Sequence, residues 1–262
     1  MRSLFIVLWN EFNRSLFFAF YYRLNTVVRS VRFIVQFIGF SLLFGRGNLQ
    51  PGELQASFIG YMLWPFIMLS LIDMTWLLTQ EVQTGSFEQF NMSIVSARVL
   101  LLARMVATMC VACLESIFVA CALMLIMGIW PLFSWTAVPV IMLSLVGLMG
   151  FTLFIGALTL QFKHTEAVSG FILTGLSFLN GAILPVYALP VGLQWLAFVL
   201  PTTQGINVLR KLLIQHATLP SLIADSSLLL LILHTTLLFS AGWFFYRWIE
   251  ARLKAQGTLG HY

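Results

Sequence analysis

The chain has 262 residues, of which 60% are hydrophobic and 9% are charged. Soluble domains carry about 25% charged residues, so this composition excludes an ordinary water-soluble domain. The formal net charge is +5. Because the basic residues are few and flank apolar segments, they favour a role in membrane orientation over nucleic-acid binding.

Six segments are long and apolar enough to be membrane spans, each of which needs about 20 mostly apolar residues. Backbone polar groups in lipid must be satisfied within the segment, which favours helices, and the alternating pattern of a membrane β-barrel is absent. The predicted spans are 27–45, 56–79, 99–127, 135–161, 167–184 and 225–247. The sequence therefore predicts an all-α integral membrane protein with a single domain over residues 1–262.

Residues 1–24 precede the first span and carry no pattern typical of a cleavable signal peptide. Phe5, Leu8, Trp9, Phe12 and Leu16 recur at steps of three and four residues. This periodicity predicts an amphipathic helix that lies in the membrane interface. The alternative is a plain cytoplasmic extension of the first span.

The distribution of Lys and Arg predicts the orientation. If the N-terminus is cytoplasmic, eleven basic residues lie at or near the inner side and three lie outside, which supports cytoplasmic N- and C-termini. The three outer residues are Arg46, Arg210 and Lys211, and the inner ones are Arg2, Arg14, Arg23, Arg29, Arg32, Arg98, Arg104, Lys163, Arg247, Arg252 and Lys254.

Residues 81–97 form a polar stretch between the second and third spans, on the predicted cytoplasmic side. Gly85 allows a sharp turn out of the second span, and Ser86 with Gln89 matches a capping box. Phe87 and Phe90 lie three residues apart and give a short helix one apolar face. Such a helix either docks into a groove of a partner protein or covers the membrane surface with both Phe rings in lipid.

Two carboxylates fall inside predicted spans, where ionisable groups are costly and are usually functional or paired. Glu115 is expected near mid-membrane in the third span, and Asp73 lies nearer the inner end of the second. They form either a polar patch in a substrate path or dimer seam, or structural hydrogen bonds to neighbouring helices.

Prolines divide the region 185–215 into short pieces after the fifth span. Pro185, Pro190 and Pro201 bound an apolar stretch too short to cross about 30 Å as a helix. Pro190 suits a helix start, and Pro201 followed by Thr202 suits the end of one helix and the capped start of another. We predict two short re-entrant helices that line or close the outer end of a pathway, with Trp195 on the first.

Motifs for chemistry are missing from the sequence. No stretch reads G-x-x-x-x-G-K-[ST], G-x-S-x-G or H-E-x-x-H, so we expect no ATP site and no catalytic residue in this chain. The pair Cys110 and Cys113 lacks further ligands at suitable spacing, so we expect no metal site. His234 in the last span favours a helix–helix hydrogen bond. Energy for transport would come from an ion gradient or a partner chain.

Two stretches resemble the membrane permease subunit of ABC-2 type exporters. The first is similar to E-x-x-x-G-T-L-E-Q-L-x-x-S-P-x-S, with Val82 and Ile94 where relatives commonly have Arg and Pro. The second is similar to F-L-S-G-A-x-F-P-x-x-x-L-P-x-x-L-Q-W-L-A-x-x-N-P-L-T over residues 178–203. The matching residues are Glu81, Gly85, Ser86, Phe87, Glu88, Gln89, Phe90, Ser93 and Ser96, then Gly181, Pro185, Leu189, Pro190, Leu193, Gln194, Trp195, Leu196 and Pro201.

The resemblance implies a mechanism and partners. Such permeases work as dimers with a second copy or paralogue in the inner membrane, and each half binds a cytoplasmic ATPase subunit that holds ATP and Mg. Residues 81–97, here named the coupling segment, resemble the helix that docks into the ATPase, and residues 185–215 resemble the outer gate. Family members export drugs, lipids, lipid-linked sugars and polysaccharides, and the 24 Phe and 8 Trp favour an amphipathic or hydrophobic substrate. The alternative is a gradient-driven secondary transporter without an ATPase.

Overall fold

The structure is a computed structural model that describes residues 2–44, 51–84, 97–128, 130, 134–162, 166–182, 186 and 189–256. Within these ranges the backbone forms eleven α-helices and no strand. They are α1 Arg2–Tyr21, α2 Arg23–Phe44, α3 Pro51–Tyr61, α4 Trp64–Gln83, α5 Ala97–Met127, α6 Ala137–Gln161, α7 Glu166–Leu179, α8 Val191–Val199, α9 Thr203–Leu213, α10 Leu219–Ala224 and α11 Ser227–Gln256. The predicted all-α class is confirmed.

Five helical stretches among the described residues are long and apolar enough to cross a membrane. They are Arg23–Leu43, Leu54–Glu81, Arg98–Met127, Ala137–Gln161 and Ser227–Gln256. These correspond to the first four predicted spans and the sixth. The last helix continues nine residues beyond the predicted end at 247, to Gln256.

The predicted fifth span, 167–184, differs from the structure. Helix α7 has 14 residues, which at 1.5 Å per residue is about 21 Å, against the roughly 30 Å of the hydrocarbon core. The helix ends because Asn180 Oδ1 accepts a hydrogen bond from the amide of Ala182 (2.8 Å) and Gly181 turns the chain at a φ of 79°. The Asn-Gly pair therefore ends the helix at Leu179, before the predicted end of the span at residue 184.

The second span is kinked between α3 and α4. Pro65 lacks the amide that would bond the carbonyl of Tyr61, so the helix opens at Met62 and Leu63. Ser116 on α5 donates its hydroxyl to the Met62 carbonyl (3.2 Å). Tyr61 donates to the carbonyl of Phe33 on α2 (2.9 Å). Side chains of neighbouring helices thus support the broken stretch.

The chain bends sharply at Tyr22, between the N-terminal helix and the first span. Thr26 Oγ1 donates to the carbonyl of Ala19 at 3.0 Å, although seven residues of straight helix would separate them by about 10 Å along the axis. Both α1 and α2 pack against α5. The bend makes α1 a separate element and disfavours a straight extension of the first span.

Helix α6 lies at the centre and packs against α4, α9 and α11. Its closest neighbour is α11, at a crossing made by two glycines. A Cβ on Gly242 would lie 1.9 Å from the carbonyl oxygen of Gly150, and a Cβ on Gly150 would lie 2.4 Å from Phe239 Cα. Small residues that let two backbones meet are typical of helix packing in membranes.

Large apolar side chains are exposed along several spans. On α5 they include Leu114, Ile117, Phe118, Leu125 and Ile126, and the free cysteines Cys110, Cys113 and Cys121 are exposed on the same helix. Such extended apolar surfaces are unusual on soluble monomers. They are the surfaces that lipid or a second membrane chain covers in a membrane protein.

Candidate functional site

The coupling segment begins and ends at the same end of the molecule. Helix α4 ends at Gln83 and α5 begins at Ala97. Of the residues predicted to contact a partner there, Glu81 is described by the structure. The other members of that prediction, Gly85, Ser86, Phe87, Glu88, Gln89 and Phe90, lie outside the described residues. The structure therefore shows how the segment is held, and the predicted docking helix stays a prediction.

Arg104 on α5 binds two carboxylates from two other helices. Its Nε donates to Glu11 Oε2 on α1 (3.2 Å), and its Nη1 donates to Glu81 Oε1 on α4. Arg104 is 4% exposed, and Glu11 and Glu81 are each 8% exposed. A guanidinium presents several donors in a planar fork, which suits simultaneous contact with two carboxylates. One buried arginine thus joins α1, α4 and α5.

A second cluster joins the first turn of α5 to α11. Arg98 Nε donates to Glu250 Oε2 (2.6 Å), and Lys254 Nζ contacts Glu250 Oε1 (2.6 Å). Glu250 is 1% exposed, and two cations whose side chains are 33% and 40% exposed compensate its charge. These contacts explain why α11 continues past the predicted end of the last span.

The two clusters form what we name the charged junction, which comprises Glu11, Arg14, Glu81, Arg98, Arg104, Glu250 and Lys254. Arg14 Nη2 lies 3.3 Å from Glu11 Oε2. Burial lowers the pKa of the Arg14 guanidinium and the charge of Arg104 acts in the same direction, whereas Glu11 and Glu81 raise it. A buried apolar cluster from α4, α5, α6 and α11, which includes Leu78, Met105 and Ile249, packs beside the junction.

Sequence reasoning identified Glu81 but missed its partner. Arg98 and Arg104 were interpreted as flanking charges that set orientation, and Glu11 and Glu250 were not singled out. Glu81 and Arg104 are 23 residues apart, and no local spacing rule pairs residues at that separation. One signal was present in the sequence, because Glu11, Arg98, Arg104 and Glu250 are charges next to or within apolar helices, where an ionic partner is expected.

The two predicted intramembrane carboxylates lie near one arginine of the first span. Arg29 on α2 donates through Nε to Glu115 Oε1 (3.2 Å) and also contacts this oxygen through Nη2. Glu115 is 5% exposed, and its Oε2 makes no hydrogen bond within the described part of the chain. Asp73 on α4 is partly buried and lies close enough to sense both charges. Glu115 therefore makes the hydrogen bond to a neighbouring helix that was one of the two alternatives for it, and its partner is Arg29 on α2.

Two short helices, α8 and α9, occupy most of the predicted outer gate region, and residues 189–213 are here named the paired-helix segment. Pro190 lies at the N-cap of α8, with its ring fixing φ at −54°. Trp195 on α8 is 71% exposed. Thr202 lies at the N-cap of α9 but its side chain makes no capping bond, so the predicted cap is wrong. Pro185 lies outside the described residues.

Helix α9 is the better anchored of the pair. Arg210 donates to the carbonyls of Ala56 on α3 (2.9 Å) and Ala182 (3.2 Å). Gly205 lies so close to α6 that a Cβ there would be 1.9 Å from Ser144 Oγ. On α8, Ala197 is the buried residue, and a hydrogen bond joins the Val199 carbonyl to His234 Nε2 of α11 (3.3 Å). The helix–helix bond predicted for His234 is confirmed.

Asp225 joins the start of the last span to α9. Its carboxylate accepts hydrogen bonds from Lys211 Nζ and from Ser227 Oγ (2.8 Å). The Lys211 bond, with help from Ser227 and the lysine charge, lowers the pKa of Asp225 below its ordinary value.

The Asp225 interaction has a defined pH window. Because the folded-state pKa of Asp225 is lowered, the ion pair contributes its full stability above the unfolded-state pKa of about 3.9. That contribution is lost as the pH falls through the folded-state pKa, which is lower. We expect Asp225→Asn to lower the melting temperature in detergent by the same small amount at every pH between 5 and 7. A difference that shrinks between pH 7 and pH 5 would contradict this assignment.

No group of three or more His, Cys, Asp or Glu side chains suited to holding a metal ion occurs among the residues that the structure describes. At the junction, Arg98 and Arg104 instead pair with carboxylates of opposite charge on other helices. Their arrangement suits mechanical connection between helices.

Comparison with known proteins identifies the family. A family model described as ABC-2 type transporter matches residues 2–214, which includes the N-terminal helix, the coupling segment and the paired-helix segment. No curated protein matches the chain. The matched range covers most of the chain and agrees with the all-helical membrane architecture. The chain therefore belongs to the ABC-2 type transporter family and is a multi-pass membrane permease domain.

Proposed function

We propose that this chain is the permease subunit of an ATP-driven exporter and that a separate cytoplasmic ATPase powers it. The observation that carries the proposal is the family match over residues 2–214. A permease domain is a transport component and not itself catalytic, so ATP and Mg belong to the partner chain. Two permease chains, either two copies or a pair of paralogues, form the transporter in the inner membrane with both termini in the cytoplasm.

The coupling segment is the proposed contact with the ATPase. Its stems are held by the charged junction, which lies where α4 ends and α5 begins. Glu81 belongs to that junction, and Gly85, Ser86, Phe87, Glu88, Gln89 and Phe90 are the proposed docking residues. A short helix with an apolar anchor and polar flanks is a common way to dock into a groove.

The paired-helix segment is the proposed outer gate. Its first helix, α8, is only nine residues long, or about 14 Å, and so is too short to cross the membrane. Pro190 and Pro201 divide the segment, Pro185 precedes it in the sequence, and Trp195 and Thr202 lie on it. The exposed apolar surface of α8 supports an amphipathic or hydrophobic substrate, such as a drug or a lipid.

The experiment that tests this function isolates the tagged permease from native membranes under mild detergent. We expect a chain that contains G-x-x-x-x-G-K-[ST] to copurify, and vesicles with both chains to export a fluorescent amphipathic dye only with ATP. Export by the permease alone, driven by an imposed proton or sodium gradient, would reject the proposal.

The docking residues are tested in the same preparation. Because buried aromatic anchors dominate many interfaces, we expect Phe87→Ser with Phe90→Ser to weaken ATPase binding by about tenfold or more. The matched control is Phe171→Ser, since Phe171 on α7 is 81% exposed and lies outside the coupling segment. Equal losses for both variants would contradict a docking role.

A gradient-driven carrier is the second candidate function. Two observations favour it: the kink of the second span at Met62 and the carboxylates Asp73 and Glu115 near Arg29. Broken helices in both halves and charged groups at membrane depth occur in such carriers. The reconstitution experiment separates the two candidates, because a carrier transports without the ATP-binding chain.

A further inference from the structure

We propose that Asp73 on α4 is the centre of a binding site, at membrane depth, for the ammonium group of an amphipathic substrate. This inference rests on the proposed function and narrows its substrate class from amphipathic molecules in general to lipophilic amines. The site also comprises Ser70 and Trp76 on the same helix, Arg29 on α2 and Glu115 on α5.

The first step of the argument is the depth of the two carboxylates. The buried ion pair of Glu81 with Arg104 fixes one common level of α4 and α5. Asp73 lies eight residues before Glu81, and Glu115 lies eleven residues after Arg104. At about 1.5 Å per residue these separations are about 12 Å and about 17 Å, so the carboxylates lie at similar depths within their spans. An acidic group at such a depth requires a cation or a proton.

The second step is the charge balance. Arg29 is engaged by Glu115 through Nε at 3.2 Å and also through Nη2. The charges of both residues act on Asp73, but Asp73 makes no hydrogen bond or ion pair within the described part of the chain. One arginine thus faces two carboxylates, which leaves one uncompensated negative charge when both are ionised. A cationic ligand would balance that charge where the dielectric constant is low.

The third step is the presence of buried polar atoms without partners beside Asp73. Ser70 lies three residues earlier and is therefore a neighbour on the helix surface. It is 5% exposed, and its hydroxyl has no hydrogen-bond partner among the described residues. Glu115 is also 5% exposed, and its Oε2 is unpaired in the same ranges. Buried polar atoms normally have partners, and an ammonium group carries several N–H donors that match these acceptors.

The fourth step is the surface around Asp73, which suits the apolar body of such a molecule. Ser70 is buried, Asp73 is partly buried and Trp76 is 57% exposed, so this stripe of α4 leads from the interior to the surface. Ile72, beside Asp73, is 39% exposed. Because an indole face attracts cations, a carboxylate with an aromatic ring and aliphatic surface favours a lipophilic amine over a neutral molecule of the same shape.

The experiment measures binding to the purified permease in nanodiscs without any ATP-binding chain, and binding to empty nanodiscs is subtracted. The probes are pyrenebutylamine, which is cationic at pH 7, and its neutral N-acetyl derivative, which has the same apolar body. We expect the parent protein to bind the amine at least about tenfold more tightly than the amide. Equal affinities for the two probes would overturn the inference.

Three variants test the charge balance. Asp73→Asn and Glu115→Gln each remove one negative charge with little change in shape, so each is expected to weaken amine binding by about tenfold and to leave amide binding unchanged. The double variant Arg29→Leu with Glu115→Leu keeps the net charge of the site and retains Asp73, so its amine affinity is expected to stay close to that of the parent. Equal changes for both probes, or an unchanged amine affinity in Asp73→Asn, would contradict the proposed site.

The matched control is Asp225→Asn, which makes the same chemical change at a carboxylate whose side chain is 63% exposed. It is expected to leave the affinity for the amine unchanged. If Glu115→Gln does not fold, Asp73→Asn and the double variant carry the test, because Asp73 has no ion-pair partner to lose among the described residues.

Failure of the proposed function is recognised separately, in vesicles that contain the parent permease and its ATP-binding chain. If ATP drives export of the amine and the amide alike, the proposed function stands and this inference fails. If the amine binds as expected but is transported without ATP, the exporter function fails, and the site belongs to a gradient-driven carrier.

Discussion

Replacing Gly242 by alanine lowers the free energy of unfolding by about 1–3 kcal/mol, because one added methyl group has no space at the crossing of α6 and α11. The new Cβ would lie 1.9 Å from the Gly150 carbonyl oxygen and 2.7 Å from the Gly150 carbonyl carbon. These are backbone atoms, so no side-chain rotation relieves the contact. The two helices must separate, which removes dispersion contacts along the most extensive helix pair among the described residues.

The measurement is the unfolding of the purified protein in mixed micelles with increasing denaturing detergent. The control is Gly39→Ala on α2, where an added Cβ meets nothing within 4 Å. Because glycine is a poor helix former, this control is expected to be neutral or to gain about 0.5–1 kcal/mol. The same chemical change thus has opposite signs at two positions, and a Gly242→Ala variant as stable as Gly39→Ala would refute the packing described for α6 and α11.

Replacing Glu115 by leucine costs about 3 kcal/mol of unfolding free energy, since it leaves the Arg29 guanidinium without its carboxylate. Breaking a buried ion pair from one side costs about 3–5 kcal/mol. The Arg29 side chain is 22% exposed and can relax toward water, which places the expected loss at the lower end of that range.

The double variant Arg29→Leu with Glu115→Leu completes the test. Replacing both members of a buried pair by apolar residues is often neutral, so we expect the double variant to unfold close to the parent protein. A double variant as unstable as Glu115→Leu alone would show that the pair is not what stabilises this region. If the stable double variant still exports the dye, Glu115 has a structural role, and if export is lost, the pair belongs to the substrate path.

The helices themselves were largely predictable from the sequence. Long apolar runs bounded by Arg clusters or by Pro and Gly predicted α2, α5, α6 and α11, because lipid allows few alternatives to a helix. The apolar runs did not reveal where one or two residues interrupt a helix inside them, because the average hydrophobicity of the run hardly changes. Pro65 kinks the second span, and Asn180 with Gly181 ends α7 early.

The candidate site was predictable only in part. The composition of the coupling segment marked it as a contact region, and Asp73 and Glu115 were visible as charges within apolar runs. Their partners were not visible. Arg29 and Arg104 are found 86 and 23 residues from the carboxylates they bind, and both had been interpreted as charges that orient the chain in the membrane.

The sequence by itself determined the all-helical membrane class, because backbone groups in lipid must form hydrogen bonds within their own segment. It also determined the family, because two motifs match residue by residue. Only the tertiary structure decided which charges meet: Arg104 with Glu11 and Glu81, Arg98 with Glu250, and Arg29 with Glu115. The physical reason is that hydrophobic periodicity defines each helix separately. Which faces then meet depends on packing between distant segments, such as the approach of Gly150 to Gly242.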